Sequence, residues 1–439
     1  MKESKIKVLM LGWEYPPKLT GGLGQACYGI ASALAEAVDL TLIIPKKEAA
    51  SRLSNGELIG LNELDYADSY KIEKEYKYES FAKVKYVPAY FDIYPVSNSN
   101  VPIVEYEEKV VEMETKIPQK SKLKAIFNEE VNYGNNIREK VMAYTKVVVE
   151  LAESMDFDII HAHDWITFPA AMELKRRFNK PFVAHIHSLE TDRVGDFSKS
   201  KVYEIEKSAM EAANYVFPVS LYTRDCIQKY YQTDIEKVFP IHNGIDQQVS
   251  LLKKKRKKKA ESGIKKILFL GRLTRQKGAS FLVETAVQLL RKSDNIKFLI
   301  AGNGDRLREI MHYAIQRGVR GYFEFHGFLD KQKVQEIMQE SDIYFMPSIS
   351  EPFGLSALEA AQNQLPVITS NQTGVTEVLP NVLKADFWDT GKFANYLYAL
   401  LNYKGLKKDL VKLNSENISE ITWTKSAEDI LFYYEKLLK

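Results

Sequence analysis

Short apolar runs that end in loop residues recur along this chain, with amphipathic stretches between them. In the first half the runs are Ile6–Gly12, Leu40–Ile44, Val84–Tyr90, Ile159–His163, Phe182–His187, Tyr215–Ser220 and Val238–Asn243. In the second half they are Lys266–Arg272, Lys297–Gly302, Tyr322–Gly327, Asp342–Pro347 and Pro366–Ser370. The intervening patterns, such as Ala279–Leu290 and Arg306–Gln316, predict helices. Strands alternating with helices predict α/β layers on parallel sheets. At 439 residues the chain exceeds what one core supports, so at least two domains are expected.

Two segments break the rhythm. From about Asn100 to Asn136 the chain is polar and charged and lacks strand alternation. It predicts an insertion over residues 100–136 of the first domain, forming a flexible lobe. The halves meet at a basic run, Lys253 to Lys259, which includes Arg256. Like charges in a block repel and stay solvated, which predicts an exposed linker; an anionic lipid or polymer is the competing partner.

Composition narrows the class. Hydrophobic residues make up 45% and charged residues 27%, an ordinary soluble globular balance. The net charge of +3 gives no support to a nucleic-acid or membrane partner. Two cysteines, Cys27 and Cys226, argue against a disulfide framework and fit a reducing compartment. No apolar run reaches the roughly 18 residues of a spanning helix, and a cytoplasmic protein is expected.

Four motifs carry candidate chemistry. Gly21-Gly22-Leu23-Gly24 precedes a helix-like stretch, where free amides attract phosphate. It lacks the third glycine of the dinucleotide fingerprint, and the chain has no P-loop sequence. His161-Ala162-His163-Asp164-Trp165 and His185-Ile186-His187 end two strands, the edge where open α/β sheets bind ligands. Alternation puts both imidazoles of each pair on one face, a geometry that zinc can use. No HExxH helix or cysteine pair accompanies them, so no metal site is expected.

Gly271-Arg272-Leu273-Thr274-Arg275-Gln276-Lys277-Gly278 follows a strand and precedes a helix. A planar guanidinium and a compact ammonium there suit a diphosphate. Glu351-Pro352-Phe353-Gly354-Leu355 opens a helix whose amides can hold an anion, and Glu359 lies eight residues beyond Glu351. A helical path would separate these acids by about 12 Å on one side. That span fits a sugar, a diphosphate and a ribose in line, whereas paired glycosidase acids sit within about 10 Å.

With these motifs in this order, the chain resembles the glycosyltransferases of the GT-B fold, family 4 and the glycogen and starch synthases of family 5. HNGID at His242–Asp246 and TWTKSAEDI from Thr422 also fit. The resemblance covers nearly the whole chain. It implies two Rossmann-like domains with parallel sheets facing a cleft. The N-terminal, acceptor-side domain would span 1–250 and the nucleotide-sugar domain 251–421. A helix in 422–439 would cross back to the first domain.

The resemblance also implies roles. Arg272 and Lys277 would bind the donor diphosphate. Glu351 would hold donor-sugar hydroxyls beside Phe353, Gly354 and Leu355, and Glu359 would hold the ribose. Gly21 and Gly22 would approach the phosphates from the other domain. Gly327 and Phe328 would lie by the base. His187 would sit near the transferred sugar, with His163 and Asp164 on the acceptor side. Leu19 stands in the place of the lysine in the KTGGL of glucan synthases, and Phe353 in the place of their cysteine. Both departures lean toward family 4 and put ADP-glucose in doubt.

The expected activity is retaining transfer of glucose from UDP- or ADP-glucose to an α-1,4-glucan, with two fixed cations in place of a metal and no cofactor. Transfer to a lipid-linked or cell-envelope acceptor is the alternative within the family. A catalytically idle sugar-nucleotide sensor is the alternative outside it, and the intact Arg272, Lys277 and Glu351 count against that.

Overall fold

The computed structural model describes residues 5–19, 21–64, 120–129, 133–134, 136–195, 200–246 and 263–439. Within them lie two six-stranded sheets in which every strand pairing is parallel. The first contains β1 (Lys7–Leu11), β2 (Asp39–Ile44), β3 (Glu57–Gly60), β4 (Ile159–His163), β5 (Phe182–Ile186) and β6 (Tyr215–Pro218). The second contains β7 (Lys265–Leu270), β8 (Ile296–Ala301), β9 (Phe323–Gly327), β10 (Ile343–Met346), β11 (Val367–Ser370) and β12 (Leu383–Ala385).

The spatial orders are β3-β2-β1-β4-β5-β6 and, read from the opposite edge, β9-β8-β7-β10-β11-β12. Both are the doubly wound order of a Rossmann fold, which reverses direction beside its first strand. The switch points therefore fall between β1 and β4 and between β7 and β10. The four motifs all follow strands at or beside these points: Gly21–Gly24 after β1, the histidine pairs at the ends of β4 and β5, Arg272 after β7, and Glu351 after β10.

Alternation along the strands explains the layers. Leu9, Leu11, Ile160, Ala162, Phe182 and Ala184 face one core, shared with helix Ile137–Ala152. Val8, Met10, Ile159, Val183 and Phe217 face the other, under helix Gly22–Leu34 and the C-terminal helix Trp423–Leu438. That last helix is capped by Thr422, whose hydroxyl accepts from Lys425 N at 3.1 Å. Ser426 donates to the His242 carbonyl at 2.6 Å, and Tyr434 is fully buried against the first sheet. No helix among the described residues is long and apolar enough to cross a membrane.

The structure departs from the sequence pattern in three places. Val238–Asn243 makes only an isolated bridge, Val216 to Val238, and is not a strand. The edge strands β3 and β12 carry too few alternating positions to stand out in the sequence. In the expected insertion, Lys120–Asn128 is a helix, with Leu123, Ile126 and Phe127 buried in the first core. Their i, i+3, i+4 spacing is the helical signal that the surrounding charge obscured. Val84–Tyr90, most of 100–136 and the basic run 253–259 lie outside the described residues.

Candidate active site

The loop after β7 carries the cations. Thr274 leads into the turn Arg275–Lys277, and Gly278 (φ +67°) then starts helix Ala279–Leu290. Arg272 is exposed and has no side-chain partner among the described residues. Lys277 folds back over Gly271 and forms an ion pair with Glu351. Ser348 also donates to Glu351, at 3.3 Å. The diphosphate-binding candidate and the sugar-binding candidate are therefore partners in this structure.

Glu351 precedes its helix. The chain runs through an irregular segment to Gly354 (φ +106°), and the helix spans Leu355–Gln362. The path between Glu351 and Glu359 is therefore helical only from Leu355 onward. Burial pushes the Glu359 carboxyl up to about 7, opposed by the charge of Lys331. The start of this helix faces the start of helix Gly22–Leu34, since a Cβ built on Gly22 would lie 3.7 Å from Leu355 Cδ1. Two helix N-termini from two switch points therefore converge, each adding positive potential.

Other expected contacts divide. Gly21 is exposed and Gly327 (φ +66°) is half-buried, each with nothing within 4 Å of a built Cβ, and Phe328 is 72% exposed. The sequence assigns Phe353 to the donor side. Its ring is buried in the second sheet's core, 6.2 Å from the His242 ring, so only its backbone can meet a donor.

The histidines form a two-layer array beneath the C-terminal helix. His161 Nε2 lies 3.1 Å from His185 Nδ1, and Tyr434 bonds to His161 Nδ1. His163 Nδ1 lies 2.8 Å from His187 Nε2. The layers stack, with centroids 4.7 Å apart for His161–His163 and 4.6 Å for His185–His187. His163, which the sequence assigns to the acceptor side, is fully buried and bonded to His187.

His161, His163 and His185 each offer a ring nitrogen within 4.8 Å of the others, the cluster that could hold a metal among the described residues. Their rings lie within 20° of parallel. A metal lies in the plane of each imidazole it binds, so parallel stacked rings do not converge on one ion without rotating.

Burial lowers His161 and His187 to about 3 and holds His163 and His185 well below the ordinary histidine value. The unfolded value is about 6.5, so each ring adds stability that is complete above that pH and lost as pH falls toward 3. The slope is at most about 1.4 kcal/mol per pH unit per ring. Asp164, Glu206 and Glu359, raised to about 7, offset part of it with the opposite sign. None of the four rings should titrate between about pH 5 and 8 by NMR. A midpoint near 6.5 would show that water reaches the array.

Asp164 (φ +60°) is buried and organises the loop after β5. Its carboxylate accepts from His187 N at 2.7 Å and Ser188 N at 3.4 Å. Asp164 thus holds the backbone of the loop that carries His187. Burial pushes it up to about 7 despite these bonds and the charge of Arg193. Arg193 clamps the same loop: Nη1 donates to Ser188 Oγ at 2.7 Å, Nε to Glu190 at 2.9 Å and Nη2 to Glu206 at 2.7 Å. Burial opposes the Arg193 charge, but Glu206 and Glu190 raise its pKa above the usual value. Nothing in the sequence marked the Glu190 and Glu206 carboxylates as buried.

Contacts between the halves also escaped the sequence. Arg275 Nη1 donates to the Val194 carbonyl at 3.0 Å. Ser350 donates to Asp192, and Ser220 donates to the Pro352 carbonyl at 2.6 Å. Glu377 accepts from Leu221 N and Tyr222 N, both at 2.8 Å, at the start of helix Leu221–Tyr231, and sits 2.7 Å from His242 Nε2. Charge-assisted bonds of this kind contribute about 1.5–3 kcal/mol each. Glu377→Ala should therefore speed hydrogen exchange at the Leu221 and Tyr222 amides by tenfold or more (about 1.4 kcal/mol). Unchanged exchange would mean that Glu377 does not hold the halves together.

Two doubly wound sheets whose switch points face each other, with a cationic loop and opposed helix starts between them, define a glycosyltransferase of the GT-B class. The chain belongs to the starch synthase catalytic domain family, whose description matches residues 7–239. The glycosyl transferases group 1 description matches residues 252–410. An uncharacterized glycosyltransferase of Methanocaldococcus jannaschii is 27% identical over 390 residues, 85% of this chain and 83% of that one. A glycogen synthase of Mycobacterium tuberculosis is 23% identical over 389 residues, 86% and 80% of the two chains. Among solved structures, sucrose-phosphate synthase of Thermosynechococcus elongatus superposes with a TM-score of 0.69 at 16% identity, over 99% of both chains. The catalytic domain of starch synthase IV of Arabidopsis thaliana, bound to ADP and acarbose, gives 0.68 at 18% identity, over 99% and 100%.

Proposed function

We propose that this enzyme moves glucose from a nucleoside-diphosphate glucose to an α-1,4-glucan, with retention at the anomeric carbon and without a metal ion. The convergence of the two helix starts at Gly22 and Leu355 carries the reading. A diphosphate between them would meet free amides from both sheets, with Arg272 and Lys277 at the end of β7. As the anomeric C–O bond breaks, negative charge grows on the diphosphate, and these fixed donors stabilise it. Donor binding would separate Lys277 from Glu351, turning the lysine to phosphate and the carboxylate to sugar hydroxyls. Closure of the halves excludes water, which favours transfer over hydrolysis. The M. tuberculosis glycogen synthase and the nucleotide-bound starch synthase structure support the donor and acceptor classes.

The test is a donor screen, UDP- against ADP-glucose, with and without glycogen and with a chelator, reading released nucleoside diphosphate. Release that depends on glycogen and survives the chelator is expected. Release from neither donor, or release abolished by the chelator, would overturn the reading. Relatives named alpha-maltose-1-phosphate synthase and D-inositol 3-phosphate glycosyltransferase favour a second reading, a small phosphorylated acceptor. Release with glucose 1-phosphate but not glycogen selects it.

A further inference from the structure

We propose that His163 is a positioning residue: its hydrogen bond to His187 fixes the tautomer and the ring plane of the imidazole that faces the transferred sugar. The inference rests on the reading of His187 as sugar-facing. Three observations carry it. First, His187 Nε2 is committed to His163 Nδ1 at 2.8 Å. The nitrogen left over, His187 Nδ1, is buried and has no partner among the described residues. Second, His163 is fully buried and stacks with His161 and His185, at 4.7 and 5.1 Å, so it touches no substrate itself. Third, the ring is held from its own backbone side: Asp164, the next residue along, accepts from His187 N at 2.7 Å. One strand end therefore grips the His187 residue at its amide and at its ring.

The consequence follows from the proton count of a neutral imidazole, which carries one N–H and one lone pair. If His163 Nδ1 donates, His187 Nε2 accepts and His187 Nδ1 presents an N–H. If His187 Nε2 donates, its Nδ1 presents a lone pair. A sugar hydroxyl that donor binding brought to this buried nitrogen, at the edge of a half-buried residue, would meet a donor in one case and an acceptor in the other. The pair thus decides the polarity of the contact, and removing His163 frees the ring to rotate and to exchange tautomers.

The experiment uses the full-length enzyme labelled with 15N-histidine. In the unmodified chain, a through-hydrogen-bond coupling between His163 Nδ1 and His187 Nε2 is expected, with His187 in one neutral tautomer. This measurement needs no variant, and absence of the coupling overturns the proposal. His163→Phe keeps a flat ring in the stack and removes the bond. It should lower kcat about tenfold or more, leave the donor KM within about twofold, and shift the His187 nitrogens toward a tautomer mixture. His163→Asn places an amide atom near the Nδ1 position and should restore most of kcat. H163F with wild-type kcat and unchanged His187 shifts overturns the positioning role. His187→Ala separates the two layers of inference. Full turnover in H187A sinks the sugar-facing reading itself, even where the coupling between the rings is present in the unmodified chain.

Discussion

Arg272→Ala should lower kcat by about 10²–10³-fold, the loss typical of removing one fixed group that stabilises developing charge. The fold should not notice. Arg272 is exposed at the end of β7 and holds no other side chain among the described residues, so Tm should stay within about 1 °C, as for surface substitutions generally. The same feature makes the test clean: Arg272 has no side-chain partner among the described residues to lose, so on the proposed reading a lost rate reports its contact with the leaving diphosphate. Lysine in its place would keep a charge but not the planar fork, so Arg272→Lys should recover only part of the rate. Unchanged turnover in R272A would remove the leaving-group role from this loop.

Gly278→Ala should combine a large loss of stability with loss of activity. Gly278 has φ +67°, and a Cβ there would lie 2.0 Å from the carbonyl oxygen of Pro347. The left-handed conformation costs a non-glycine residue roughly 1–2 kcal/mol. The collision adds about 1–3 kcal/mol, because a backbone carbonyl cannot turn aside as a side chain can. Together they amount to about 2–5 kcal/mol, which lowers Tm by roughly 4–20 °C for a domain of this size. Gly278 directly follows Lys277, so the shift that relieves the clash would also pull the ammonium from Glu351. Gly318→Ala is the internal comparison: φ is +72°, but nothing lies within 4 Å of its Cβ. It should show the conformational cost alone. Equal melting points for G278A and G318A would mean that the Pro347 contact is not tight in solution.

The parts of this site legible in sequence share one property: each is a local pattern at a strand end. Gly271–Gly278 could be read because a strand, a loop with two cations and a helix follow one another in eight residues. HAHDW and the Glu351–Glu359 segment could be read for the same reason. Phe353 could not be placed, because an aromatic at a loop serves a ligand or a core equally well until its neighbours are known. Lys120–Asn128 looked like part of a solvated insertion because its three apolar positions sit among charges.

The sequence by itself determined two α/β halves and the position of the cationic loop after its strand, since these follow from periodicity and side-chain chemistry over short spans. Only the tertiary structure decided which groups are partners. It paired Lys277 with Glu351, stacked four imidazoles from two strand ends under Tyr434 of the C-terminal helix, and set half-buried Arg193 between Glu190 and Glu206. The physical reason is distance along the chain: His161 and Tyr434 lie 273 residues apart, and no local preference encodes a hydrogen bond of that span. Packing the C-terminal helix onto the first sheet is what makes the bond form.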